Sequence, residues 1–112
     1  MDILTIRLVS VPGSNSANEI AISIVKDCIK DLEYGLSQCD CLDDASNTQI
    51  IYSDIGARQI LELLEKNTKT PPLWVIEEYR DQMDEYMYMN SAGSYMFSVF
   101  HDIAEHIIDR MC

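Results

Sequence analysis

The two histidines of the chain fall in one hexapeptide, His101-Asp-Ile-Ala-Glu-His106, inside a segment of helical periodicity. His101 with Glu105, and Asp102 with His106, are each four residues apart, so an imidazole and a carboxylate on one helix face can share a metal ion or a hydrogen bond. The pattern is not that of a zinc protease. The glutamate next to the first histidine is missing, and the inverted arrangement needs one residue fewer. Cys39 and Cys41 would project from the same side of a strand, roughly 7 Å apart. Cys39, Cys41, His101 and His106 are therefore a candidate structural zinc site if that strand meets the last helix, and such an ion would staple a small domain. The competing reading makes the cysteines small core residues and the histidines hydrogen-bonding groups at a helix surface.

Other catalytic chemistry finds no support. The turn Val11-Pro-Gly-Ser-Asn-Ser16 lacks the lysine and the spaced glycines of a phosphate-binding loop, and Ser14 and Ser16 read as helix-capping residues. Cys28 falls on an apolar stripe, Cys112 is the last residue, and no serine or cysteine has an assignable base, so an acyl-transfer site is not expected. The expectation is a protein that is not an enzyme, with a small enzyme acting through His101 or His106 as the weakest alternative.

The strongest pattern is acidic. Nineteen Asp and Glu stand against eight Lys and Arg, a net charge of −11, and residues 71–112 carry −6 of it with only Arg80 and Arg110 among their carboxylates. In a helix begun at Pro71, Glu77, Asp81, Asp84 and Glu85 share the face opposite the apolar stripe, flanked by Glu78 and Tyr88. Asp102, Glu105 and Asp109 form a second row in the last helix. Further acids are Asp27, Asp31, Glu33, Asp40, Asp43 and Asp44. One reading is a solvated face that keeps a small protein soluble. The sharper reading is a surface that imitates nucleic-acid charge and occupies the cationic groove of a nucleic-acid-binding protein. Direct nucleic-acid binding is not expected, because such a surface repels phosphates. Tyr88 and Phe97 lie off the apolar stripes of their helices and are expected at a partner interface.

Elements must position these groups. Residues 2–11 alternate as a strand, and a capping box at Ser16 and Glu19 opens a helix over about 17–32 that Gly35 ends. Residues 36–42 and 48–52 predict a hairpin. Asp54 caps a helix running to Lys66 or Asn67. Leu73, Ile76, Tyr79, Met83, Tyr86 and Met87 stripe the helix begun at Pro71, and Tyr95, Met96, Val99, Phe100, Ile103, Ile107 and Met111 stripe the last. The expected fold is α+β, a small antiparallel or mixed sheet of about three strands with helices packed on one face, in the order β-α-β-β-α-α-α. At 112 residues, 47% apolar and 24% charged, the chain is expected to be a single domain over residues 1–112. It shows no membrane span. Asp2 and Arg7 make the first ten residues unlike a secretory signal, so a cytoplasmic location is expected.

The segment from Pro71 to Asp109, PPLWVIEEYRDQMDEYMYMN followed by SYMFSVFHDIAEHIID, resembles small accessory proteins encoded by phages and prophages of Gram-positive bacteria. In kind it is similar to the anti-CRISPR proteins, which block CRISPR effector nucleases, and that likeness implies no catalytic or binding residue. It implies a non-enzymatic inhibitor whose partner is a bacterial nucleic-acid-handling protein such as a Cas9-type nuclease, which holds nucleic acid in a positively charged channel. The alternative is a zinc-stabilised structural or adaptor module whose protein partner is unrelated to nucleic acid.

Overall fold

A computed structural model describes residues 14–38, 44–89 and 91–111. Four helices account for nearly all of them: α1 (Ser14–Gln38), α2 (Asp44–Lys66), α3 (Pro72–Met89) and α4 (Ser94–Met111), with a short 3-10 turn, Ser91–Gly93, between the last two. Among the described residues there is no strand, so the α+β expectation is overturned in favour of a helical bundle. The strand expected over residues 2–11 lies outside the described residues.

Of the expected hairpin, residues 39–42 lie outside the described residues, and 36–38 and 48–52 are helical because their apolar residues obey a helical period. Leu32, Gly35 and Leu36 continue the stripe of Val25, Cys28 and Ile29, and α1 runs through Gly35 to Gln38 instead of stopping there. Thr48–Tyr52 lies within α2, where the weak helix propensity of β-branched residues yields to packing: Ile50 comes within 3.9 Å of the position a Cβ at Gly35 would take. Asp54 is accordingly interior to α2 and caps nothing, and α1 already includes Ser16 and Glu19. The end of α2 at Lys66 falls where its periodicity predicts. α3 starts at Pro72, with the carbonyl of Pro71 accepting from the amides of Trp74 (3.0 Å) and Val75 (3.3 Å).

Residue contacts fix the arrangement. Asn18 meets Leu64 and Glu33 meets Arg58, so α1 and α2 are antiparallel; Arg80 meets Glu105 and Tyr86 meets Phe97, so α3 and α4 are antiparallel as well. The two hairpins join through α2 and α4, which run parallel: Tyr52 packs on Tyr95 and Phe100, and Gly56 faces Phe100 and Ile103. A single buried cluster draws on all four helices, with Val25, Ile60, Leu64, Ile76 and Ile107 fully enclosed.

Two core residues make polar ties between helices. Asn18, only 4% exposed, donates from Nδ2 to the carbonyl of Leu64 at 3.2 Å, one of the last carbonyls of α2 that has no partner within its own helix. Replacing Asn18 with Ala leaves that carbonyl without its donor, and a loss of about 1–2 kcal/mol in urea unfolding is expected. Tyr79 donates its hydroxyl to Oε1 of Gln59 at 2.6 Å, and burial raises its phenol pKa above the ordinary value of 10. The sign follows directly: the folded state holds this proton more tightly than the unfolded chain, so the stability is fully present below pH 10 and falls as pH rises above it. Tyr79→Phe is expected to flatten that alkaline decline in a pH series of denaturation midpoints, while costing about 1 kcal/mol at neutral pH.

Candidate acidic interface on the α3–α4 hairpin

The candidate site begins with what α3 and α4 bury. On α3 the inward residues are Pro72, Val75, Ile76, Tyr79 and Met83, and on α4 they are Val99, Phe100, Ile103, Ala104 and Ile107. At 100° per residue these stripes leave Glu77, Asp81, Asp84 and Glu85 on the outer side of α3, and Asp102, Glu105 and Asp109 on the outer side of α4. The structure agrees: Glu78, Asp81, Glu85, Asp102, Glu105 and Asp109 are exposed, and Glu77 and Asp84 are half-buried.

The two rows meet at Arg80. Its guanidinium donates through Nε to Asp81 at 3.2 Å and through Nη1 to Glu105 at 3.0 Å, so one cation spans the seam between the helices. The other cation of the hairpin, Arg110, is exposed and donates to the Sγ of Cys28 on α1 at 3.0 Å. Cys28 is a buried free thiol whose pKa burial pushes up, against the lowering effect of Arg110. Both arginines of the hairpin thus have partners within the protein, and the eight carboxylates outnumber them four to one.

Of the four candidate metal ligands, the two that lie among the described residues, His101 and His106, do not share a face of α4. His101 and His106 are five residues apart in a regular helix, which separates their directions by about 140°. His101 is half-buried and sits 3.3 Å from the carboxylate of Asp102, a neighbour rather than the Glu105 expected one turn on, and His106 is exposed. Cys39 and Cys41 lie outside the described residues, and among the described residues no group of three or more His, Cys, Asp and Glu is placed to hold a metal ion.

Of the two residues expected at an interface, Tyr88 is 83% exposed, whereas Phe97 is half-buried, its ring 5.4 Å from that of Tyr86 and 6.2 Å from that of Phe100. Trp74, which sequence reasoning did not single out, is 65% exposed on α3. Its signal was present in the sequence: it stands two positions before Ile76 and so falls off the apolar stripe. Arg80 was noticed only as an interruption of the acidic run, because its partner Glu105 is 25 residues away.

Among the described residues, an open cleft beside the α2–α3 turn is lined by Leu63, Asn67, Thr70, Val75, Glu78, Tyr79 and Gln82, and an apolar one by Ala17, Ile20, Pro71, Pro72, Leu73 and Met111. No helix among the described residues is long and apolar enough to cross a membrane. Comparison with protein families, curated proteins and solved structures finds no match to this chain.

Proposed function

We propose that this protein is a non-enzymatic inhibitor that lays the outer face of the α3–α4 hairpin into the cationic nucleic-acid path of a bacterial effector, a CRISPR Cas9-type nuclease being the representative partner. It would act in the cytoplasm and would not itself bind nucleic acid. The observation that carries the reading is the set of eight outward carboxylates on α3 and α4 against two arginines, of which Arg80 pairs with Asp81 and Glu105 of the face itself and Arg110 donates to Cys28. α3 and α4 are 18 residues each. Their net −6 over about 27 Å of hairpin is about one charge per 4.5 Å, approaching the one per 3.4 Å of a single nucleic-acid strand. A cationic channel built for phosphates offers this face the complementary potential, which favours encounter and fixes its register.

The test is an affinity pull-down from bacterial lysate supplemented with a Cas9–guide complex, read by mass spectrometry. Recovery of the nuclease, released by moderate salt, is the expected result. Failure to retain it, or retention that salt does not weaken, contradicts an electrostatic seat in its nucleic-acid path.

A further inference from the structure

The outer face of α3 is not uniformly acidic. Trp74, Asp81 and Tyr88 succeed one another at seven-residue intervals, two turns apart, and so lie close to one line along the helix, drifting by only about 20° per step. Glu77 and Glu78 fill the turn after Trp74, and Asp84 and Glu85 the turn before Tyr88. Each exposed ring therefore has carboxylates three and four residues away, the spacing at which helix side chains are neighbours. Trp74 is 65% and Tyr88 83% exposed, and neither ring enters the aromatic cluster formed by Tyr52, Tyr86, Tyr95, Phe97 and Phe100.

From this placement we infer that Trp74 and Tyr88 are two arginine-reading anchors, about 21 Å apart, and that the partner surface accepted by α3 is arginine-rich. The inference rests on the acidic-interface reading above and adds to it the chemistry of the partner's cations. A guanidinium is planar and weakly hydrated. It stacks on an aromatic face while its edge donates two hydrogen bonds to a carboxylate, and a ring with a carboxylate one turn away meets both requirements at once. A lysine ammonium is a compact, strongly hydrated point charge that gains from the carboxylates but little from an exposed ring. A second copy of the chain does not fit, because it carries the same net charge of −11 and the same acidic hairpin. A nucleic acid is excluded by the same charge, and an anionic membrane surface likewise. The occupant with matching chemistry is a protein surface that presents arginines in a row.

The experiment compares an oligoarginine and an oligolysine of equal length, titrated against the whole protein at low salt with Trp74 fluorescence and calorimetry as readouts. The expected result is that oligoarginine binds about tenfold tighter. Trp74→Ala with Tyr88→Ala should bring the two peptides to equal affinity, while Trp74→Phe with Tyr88→Phe keeps part of the preference. Both rings are exposed, so helix content by circular dichroism should not change. Equal affinity of the two peptides for the unaltered protein overturns the inference while leaving the acidic interface standing. A preference that survives the double alanine substitution also overturns it. Binding of neither peptide overturns the inference and the acidic interface together.

Discussion

Replacing Glu77, Asp81, Asp84 and Glu85 together with lysine is expected to weaken binding to a Cas9–guide complex about a thousandfold, close to 4 kcal/mol. A single exposed ion pair is worth little. Reversal, however, both removes an attraction and installs a repulsion at each of four neighbouring positions, and about 1 kcal/mol per site is enough. The net charge moves from −11 to −3, so a loss of steering alone would also slow association. A matched control separates the two effects. Asp27, Asp31, Glu62 and Glu65 are exposed on α1 and α2, and lysine at all four shifts the net charge equally without touching the hairpin. The control should bind within about tenfold of the unaltered protein. Equal losses for the two variants would show that bulk charge, not this face, governs association. Neither variant should unfold, since none of the eight residues is buried in the core.

The largest effect on stability is expected at Gly56. A Cβ placed there would lie 2.9 Å from Cγ2 of Ile103 and 3.1 Å from Cδ1 of Phe100, with the Cα of Phe100 at 3.5 Å. The absence of a side chain lets α2 and α4 run side by side at this point, and the backbone of Phe100 limits how far α4 can yield. Gly56→Val is expected to cost about 2–3 kcal/mol through overpacking, which exceeds the few tenths that valine gains over glycine in helix propensity. For a domain of this size that is about 10 °C or more in Tm. Gly35→Ala provides the contrast. The nearest atom to its Cβ position is Cδ1 of Ile50 at 3.9 Å, an ordinary contact, so relief of glycine's entropy should raise stability by about 0.5–1 kcal/mol. Thermal melts of the two variants should therefore move in opposite directions, and a stabilising Gly56→Val would refute the close α2–α4 packing.

The same two glycines show where the sequence was legible and where it was not. The stripes of α3 and α4 were readable because several large apolar residues recur over five turns: Ile76, Tyr79, Met83, Val99, Phe100, Ile103 and Ile107 are buried as their spacing implies, whereas Tyr86 and Tyr95, expected on the same stripes, are exposed near the α3–α4 turn where the stripes leave the core. Gly35 and the β-branched run at Thr48 to Ile51 were misread because a short apolar segment fits a period of two or of 3.6 equally well. The arbiter was the tertiary contact between Ile50 and Gly35, which no local pattern contains. At the candidate site the carboxylate rows followed from helix geometry alone. Their seam at Arg80 depended on Glu105 of another helix, and the partner of Arg110 is Cys28, 82 residues away. Trp74 was legible in the same way, since two positions before Ile76 it falls off the stripe, and the structure leaves it 65% exposed.

Occupation of a nucleic-acid path is tested most directly by equilibrium competition: the affinity of the fluorescently labelled protein for a Cas9–guide complex, measured across a series of target-DNA concentrations. If the α3–α4 face occupies the target channel, the apparent Kd rises in proportion to DNA once the DNA exceeds its own dissociation constant, and the complex dissociates fully at saturation. An apparent Kd that stays constant through saturating DNA would place the contact elsewhere on the partner and contradict the acidic hairpin as a stand-in for nucleic acid.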